Sequence, residues 1–157
     1  MEIELFGNKL KVFECGKVFV LGKIKPNKGE YYEKKYTISN GYKQLILWHE
    51  IERKPKGYNI HRIIGFTFLG LDIENPKKVI DHINRDKLDN QVSNLRIVST
   101  QENQWNRNAK GYTKRGNKYE AKLKKNGKYI YLGTYETETE AHNAYLIGKQ
   151  IHHPLPQ

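Results

Sequence analysis

Cysteine is nearly absent from this sequence of 157 residues, in which Cys15 is the single example. One thiol excludes an internal disulfide and any zinc site built on paired cysteines, so we expect no structural zinc. Long hydrophobic runs are also lacking, since no apolar stretch approaches the roughly 20 residues of a membrane span. The start of the chain, Met1 to Glu4, has neither the basic nor the apolar region of a signal peptide. We therefore expect a cytoplasmic protein without a membrane partner.

Acidic residues are scarce relative to basic ones, with 17 Asp and Glu against 28 Lys and Arg, for a net charge of +11. The imbalance is concentrated between Trp105 and Tyr135, where nine basic residues accompany one acidic residue, Glu120. A basic segment of this kind favours a polyanionic partner, because neutralising phosphates releases counterions. The distribution predicts nucleic-acid binding rather than a generally basic surface.

The first half of the chain predicts small sheets and one helix. Short alternating or aromatic runs, separated by Gly and Asn, are typical of β-hairpins. These predicted strands are 3–6, 10–13, 18–21, 31–36 and 42–48. Asn40-Gly41 predicts a tight turn, and Lys54 to Gly57 predicts a break between elements. A buried helix is predicted from Asn59 to Gly70, in which Gly65 allows close packing on a strand.

The next segment predicts a strand, a polar loop, a second strand and a helix. The strands are 79–83 and 95–98, and the loop is 84–90. Ser99 and Glu102 have the spacing of a capping box, which predicts a helix from Ser99 to about Asn108.

Asp81 and His82 end the first of these strands and are the strongest candidates for chemistry. Phosphodiester hydrolysis requires a base near neutral pH and neutralisation of the developing negative charge. A neutral His82 suits the first task, and a divalent ion held by Asp81 and Asn103 suits the second. Strict alternation would direct Asp81 and His82 to opposite faces, but we expect the end of the strand to bring both into one cleft. Asn94 is placed to bond the second imidazole nitrogen and fix its tautomer.

Four stretches carry a family resemblance: 59–68, 80–84, 87–96 and 99–103. They resemble the HNH homing endonucleases of phages and introns, in a region that spans about 40–108. The resemblance implies an α+β fold with a ββα-metal core (HNH, or His-Me finger) at about 59–108. It also implies one Mg²⁺ or Mn²⁺ ion, double-stranded DNA as substrate, and a prokaryotic or phage-infected host cell. The absent cysteines indicate the zinc-free branch of that family.

The resemblance also implies roles for individual residues. His82 is the general base, Asp81 and Asn103 are metal ligands, and Asn94 orients His82. Arg85 and Arg96 are candidate phosphate contacts. His61 belongs to the family's helix, and we interpret it as structural.

The last part of the chain, from residue 109 to 157, predicts three strands and a helix. Asn126-Gly127 predicts a hairpin, and Thr137 or Thr139 begins a helix that ends before Pro154 and Pro156. Stretches 111–112, 118–121, 126–135, 140–141 and 144–145 resemble the DNA-binding domain of plant ethylene-response factors. That resemblance implies a three-stranded antiparallel sheet packed on one helix. The DNA-contact candidates are Lys114, Arg115, Lys118, Lys122, Lys124 and Lys128.

Together these patterns predict a metal-dependent DNA endonuclease that nicks DNA, with its catalytic domain in 1–108 and a DNA-binding module after it. We expect a monomer or weak dimer. The N-terminal strands are a further candidate DNA contact, because basic residues cluster there: Lys9, Lys11, Lys17, Lys23 and Lys25. The main alternative is a catalytically inactive DNA-binding regulator on the same fold. An RNA-binding or RNA-cleaving module and a structural phage protein are further alternatives.

Overall fold

The computed structural model describes residues 1–24 and 26–155, so Lys25 and Pro156 lie outside the described residues. The structure mixes small antiparallel sheets with a few helices. The chain forms two compact units, Met1–Asn103 and Gln104–Gln157. The boundary between them lies a few residues before the predicted one at residue 108. In the described ranges, no helix has the length and apolar character needed to cross a membrane.

The first unit begins with a four-stranded sheet in which consecutive strands pair. Its strands are β1 (Glu2–Leu5), β2 (Asn8–Val12), β3 (Val18–Leu21) and β4 (Tyr31–Glu33). Alternation along β2 buries Leu10 and Val12 and leaves Lys9 exposed. One face of this sheet therefore covers the core of the unit, as period-2 patterning requires.

A second sheet comprises β5 (Thr37–Ser39), β6 (Tyr42–His49) and β7 (Lys54–Asn59). The predicted turn at Asn40-Gly41 is confirmed, since both residues have positive φ, 51° and 82°. The predicted break at 54–57 is wrong, because those residues belong to β7. Pro55 pairs with Trp48. The sheet tolerates it because β7 is an edge strand, where a missing N–H leaves no inner hydrogen bond unmade.

Helix α1 (Ile60–Phe68) packs on a two-stranded ribbon, β8 (Lys78–His82) and β9 (Leu95–Ser99). A Cβ on Gly65 would lie 2.4 Å from Ile80 Cδ1, so the predicted close approach of helix and strand at this glycine is confirmed. Ile63 and Ile64 are fully buried beside it. The helix thereby fixes the position of β8.

A polar loop joins β8 to β9 and ends in a 3-10 turn, Val92–Asn94. Helix α2 (Thr100–Trp105) follows β9. Its capping box is confirmed: Glu102 N donates to Ser99 Oγ, and Ser99 N donates to Glu102 Oε2. The helix ends before Asn108, earlier than predicted.

The second unit contains β10 (Tyr112–Arg115), β11 (Lys118–Lys125) and β12 (Lys128–Tyr135), followed by α3 (Glu138–His152). Thr137 is the N-cap of α3 and forms a capping box with Glu140. Ala121 and Leu123 face α3 and are buried with Ala141 and Tyr145. A bulge after Ala121 adds one residue to β12.

Candidate active site

His82 is the last residue of β8 and is 5% exposed. The His61 ring meets it edge-on, with centroids 5.1 Å apart, and the Tyr42 ring lies 5.9 Å away. Burial lowers the pKa of His82, although the Asn90 bond and the nearby Asp81, Asp86 and Asp89 oppose the shift. The environment therefore favours a neutral imidazole at physiological pH, which is the form that can accept a proton.

Asp81 precedes His82 in the same strand and is also buried. The β8–β9 register continues through both residues, with Asp81 opposite Arg96 and His82 opposite Leu95. Strict alternation would direct the two side chains to opposite faces of the ribbon, but β8 ends at His82 and both residues are buried, so their convergence in one cleft stays a prediction. The two groups still occupy the final two positions of β8, at one end of the ribbon.

Arg96 forms a buried ion pair with Asp81, in which its Nε and Nη2 both lie 2.9 Å from Asp81 Oδ2. The Arg96 side chain is 13% exposed. Arg96 thus lies beside the candidate metal ligand, in a more enclosed position than a surface phosphate contact would occupy. Arg85, the other predicted phosphate contact, is exposed and has a φ of 67° in the turn after β8.

The structure brings Asn90, rather than Asn94, to the His82 imidazole. Asn90 Oδ1 lies 3.2 Å from His82 Nε2. The Asn94 amide instead accepts from Asn84 N at 3.0 Å and donates to Asp89 O at 2.9 Å. The predicted side-chain contact from Asn94 to His82 is therefore wrong, because Asn94 spans the loop between Asn84 and Asp89.

Sequence alone offers little basis for choosing Asn90. Both asparagines follow His82 within one polar loop, and amides in such loops usually stabilise turns. Burial does not distinguish them, since Asn90 is 4% and Asn94 8% exposed. The hydrogen bond to His82 distinguishes Asn90, and it depends on the fold around the loop.

Asn103 lies in α2, whose start is fixed by the capping box at Ser99. Its side chain is half-buried. The predicted base and metal ligands therefore lie on the ribbon and the helix that follows it. Asp81 and His82 are on β8, and Asn103 is on α2, directly after β9.

The available donors suit a hard divalent ion with few protein ligands. Within residues 1–24 and 26–155, no cluster of three or more His, Cys, Asp or Glu side chains has the arrangement of a metal site. One carboxylate, Asp81, and one amide oxygen, Asn103, leave most coordination positions to water and phosphate, as Mg²⁺ prefers. Structural zinc would instead require four nitrogen or sulfur ligands.

His61 extends this site beyond the predicted residues. It lies in the first turn of α1, is 6% exposed, and contacts the Tyr42 ring at 4.7 Å. Burial, then the neighbouring His82 and Arg62, lowers the pKa of His61 to about 3. His61 is therefore neutral across the physiological pH range and packs against His82 as an uncharged ring.

In the second unit, the outer face of the sheet carries much of the predicted DNA-contact set. Register places Arg115 opposite Lys118, and Lys122 and Lys124 opposite Tyr131 and Tyr129. The lysine ammonium groups of 122 and 124 lie 5.4 and 5.6 Å from the Tyr129 ring centroid. Both tyrosines are more than 60% exposed. This face combines cationic and aromatic groups, which suits a nucleic-acid surface.

Two other predicted contacts have different positions. Lys114 pairs in register with Tyr119, on the opposite parity from Arg115, and its ammonium lies 5.8 Å from that ring. Lys128 pairs with Lys125 at the end of the hairpin, also off the outer face. We define the outer basic face by four residues: Arg115, Lys118, Lys122 and Lys124.

The basic residues of the first sheet are partly compensated. Lys11 forms an ion pair with Glu2 at 3.1 Å, and Lys9 pairs in register with Glu4. Lys23 donates to Gly7 O at 2.7 Å. Two residues of the outer basic face are also compensated, since Lys118 lies 2.7 Å from Glu136 and Lys122 lies 3.0 Å from Glu120.

Comparisons with known proteins address the segment that contains the site. Residues 58–105 match the family described as HNH endonuclease. An uncharacterised HNH endonuclease of Acanthamoeba polyphaga mimivirus is 48% identical over 56 residues, which are 32% of this chain and 14% of the viral protein. The structure of the HNH homing endonuclease I-HmuI, described for DNA binding and cleavage, has a TM-score of 0.46 and 27% identity. That comparison covers 63% of this chain and 50% of I-HmuI.

This chain thus spans a small part of the viral relative and half of I-HmuI. The family match and the viral relative support an HNH endonuclease domain, and hence a nuclease function, for the segment that holds Asp81, His82, Asn94 and Asn103.

Proposed function

We propose that this chain is a metal-dependent DNA endonuclease that hydrolyses a phosphodiester with His82 as general base. The observation that carries the proposal is a buried, neutral-favouring imidazole next to a buried carboxylate, inside the segment that matches the HNH endonuclease family. An imidazole kept neutral by burial is a competent base at physiological pH.

Asp81 and Asn103 would hold one divalent ion, Mg²⁺ or Mn²⁺. When bound, that ion supplies neutralisation of charge on the phosphorane and on the leaving 3′ oxygen. His82 takes a proton from the attacking water. Arg96 holds the Asp81 carboxylate in a fixed orientation through its two bonds to Oδ2. Asn94 acts through the loop that it braces, and exposed Arg85 is a candidate phosphate contact at the end of the ribbon.

We further propose that residues 109–157 form a DNA-binding module similar to that of ethylene-response factors. The outer basic face supports this role, because its charges lie together with exposed aromatic rings. Such contacts mostly position a protein on the duplex. One catalytic site per chain favours nicking of double-stranded DNA by a monomer or weak dimer.

The test is cleavage of supercoiled plasmid with and without Mg²⁺ or Mn²⁺. We expect metal-dependent nicking by the parent, and His82→Ala to reduce the rate by about 10²- to 10⁴-fold with DNA affinity unchanged. His152→Ala, which removes a histidine from α3, is the matched control and should nick at the parent rate. Loss of nicking without loss of binding separates the base from a structural histidine.

The alternative is a catalytically inactive DNA-binding regulator. The observation in its favour is the ion pair between Arg96 and Asp81, because the guanidinium already neutralises the candidate metal ligand. If the parent neither nicks nor linearises the plasmid with either metal, and His82→Ala binds DNA as the parent does, the regulator is correct. Tighter binding to RNA than to duplex DNA in competition would contradict both proposals.

A further inference from the structure

We propose that Asn90 is a positioning residue of the nuclease site, which holds the proton of His82 on Nε2 and leaves the basic lone pair on Nδ1. This inference rests on the proposed function, because it names the nitrogen that accepts the proton from water. Asn90 is not one of the residues predicted from sequence, and its assignment follows from the hydrogen bonds around the loop.

The orientation of the Asn90 amide fixes the direction of its bond to His82. Asn90 Nδ2 donates to Leu88 O at 3.3 Å, so the amide oxygen is the atom directed at the imidazole. That oxygen lies 3.2 Å from His82 Nε2. A carbonyl oxygen can only accept, and therefore Nε2 must donate. A neutral imidazole with its proton on Nε2 has its lone pair on Nδ1.

Asn94 does not compete for this role. Its amide bonds Asn84 in both directions, accepting from Asn84 N and donating to Asn84 Oδ1, each at 3.0 Å. The same Nδ2 also donates to Asp89 O. These contacts hold Asn94 within the loop, whereas the side chain of Asn90 reaches His82.

The β2–β3 turn contacts the backbone around Asn90 and confines it. Val92 N donates to Glu14 O at 2.8 Å, which joins this turn to the segment after Asn90. Gly16, with a φ of 87°, approaches so closely that a Cβ there would lie 2.9 Å from Asn90 O and 3.1 Å from Asn90 Cβ. With its side chain buried and its backbone confined, Asn90 has little freedom to turn its amide away from His82.

The experiment compares Asn90→Leu and Asn90→Asp. Leu keeps the approximate size but cannot accept from Nε2–H, whereas Asp can accept but places a carboxylate against Leu88 O. A positioning role predicts that Asp retains the Nε2–H form and nicks faster than Leu, with Leu slower than the parent by about 10- to 100-fold. A role limited to packing predicts the reverse order, because Asp is then the worse replacement.

The direct readout is the ¹⁵N spectrum of the His82 ring at a pH where the imidazole is neutral. We expect Nε2 protonated in the parent, and a shift toward the Nδ1–H form in Asn90→Leu. Asn75→Leu is the matched control, since Asn75 accepts from Lys77 N in another loop, and it should change neither the spectrum nor nicking.

A parent spectrum with the proton on Nδ1, or an unchanged tautomer in Asn90→Leu, overturns the inference. The spectrum does not depend on cleavage, so a parent that fails to nick contradicts the proposed function while the ring nitrogens still decide the role of Asn90.

Discussion

His61 places an uncompensated polar atom in the core of the first unit. In the part of the chain that the structure describes, its Nδ1 is buried without a hydrogen-bond partner. Such an atom costs about 1–3 kcal/mol even when neutral. Protonation of this ring would add a buried positive charge beside His82 and Arg62, so the native protein resists it.

The consequence is a pH-dependent loss of stability. The pKa of His61 is about 3 in the folded protein against an ordinary 6.5. As the pH falls below 6.5, His61 binds a proton in the unfolded chain before it does so in the folded protein. The free energy of unfolding therefore keeps its full contribution from this group above pH 6.5 and loses it progressively toward pH 3. The slope from this group is up to about 1.4 kcal/mol per pH unit.

Urea unfolding at a series of pH values measures this slope. His61→Phe, and His61→Gln as a second neutral replacement, should each reduce the dependence relative to the parent over that range. Parallel curves for parent and variants would show that His61 is not the responsible group.

The residues of the candidate site differ in how far the sequence identifies them. Asp81 and His82 stand out because a carboxylate and an imidazole follow an apolar strand, and Ser99 fixes the start of the helix that carries Asn103. The partner of His82 cannot be chosen from sequence, because Asn90 and Asn94 are both buried, and tertiary contacts such as the approach of Gly16 to Asn90 decide which side chain reaches the imidazole. The convergence of the Asp81 and His82 side chains depends on where β8 ends, and local sequence patterns predict such a boundary poorly.

At the scale of elements, turns are easier to predict than strand partners. Asn40-Gly41 identifies its hairpin because few residue pairs adopt two successive positive φ angles. Strand β7 escapes prediction because Pro55 and Gly57 both disfavour strands, and only pairing with β6 makes the segment extended. Edge position is a tertiary property, so local propensity cannot supply it.

The β2–β3 turn provides a test of how one element supports another. Gly16→Ala should slow nicking by displacing Asn90, since the added Cβ meets the Asn90 backbone. Gly29→Ala is the matched control: Gly29 has a similar φ of 83°, and no described atom lies within 4 Å of its added Cβ.

Both substitutions place Ala at a similar positive φ, so each should lower the unfolding free energy by about 1 kcal/mol or more. Gly16→Ala should lower it further, because its Cβ also meets the Asn90 backbone. Only Gly16→Ala should lower the nicking rate. Equal nicking rates in the two variants would contradict a link from this turn to His82.

At the scale of the whole molecule, the net charge of +11 is unevenly available. In the first sheet Lys9 and Lys11 are matched with Glu4 and Glu2. On the outer basic face, Lys118 and Lys122 also have partners, Glu136 at 2.7 Å and Glu120 at 3.0 Å, but Arg115 and Lys124 lie beside other cationic or aromatic groups. Total charge therefore predicts affinity for a polyanion less well than its distribution does.

Salt dependence of DNA binding tests this distribution. Replacing Arg115, Lys122 and Lys124 together by Ala should reduce the slope of log affinity against log salt by about 0.9 for each phosphate that the variant no longer neutralises. The control replaces Lys9, Lys11 and Lys23 by Ala, which removes equal charge. We expect its slope to stay near that of the parent; an equal reduction in both triple variants would assign DNA binding to the first sheet as well.

The close approach of Gly16 to Asn90 also defines the smallest unit that could be transplanted into another protein. A cassette of residues 58–105 would carry Asp81, His82 and Asn103 but would leave behind the turn that confines Asn90. A designer of chimeric nucleases should therefore include the β2–β3 hairpin in the transferred segment, or supply a substitute support for the loop that contains Asn90.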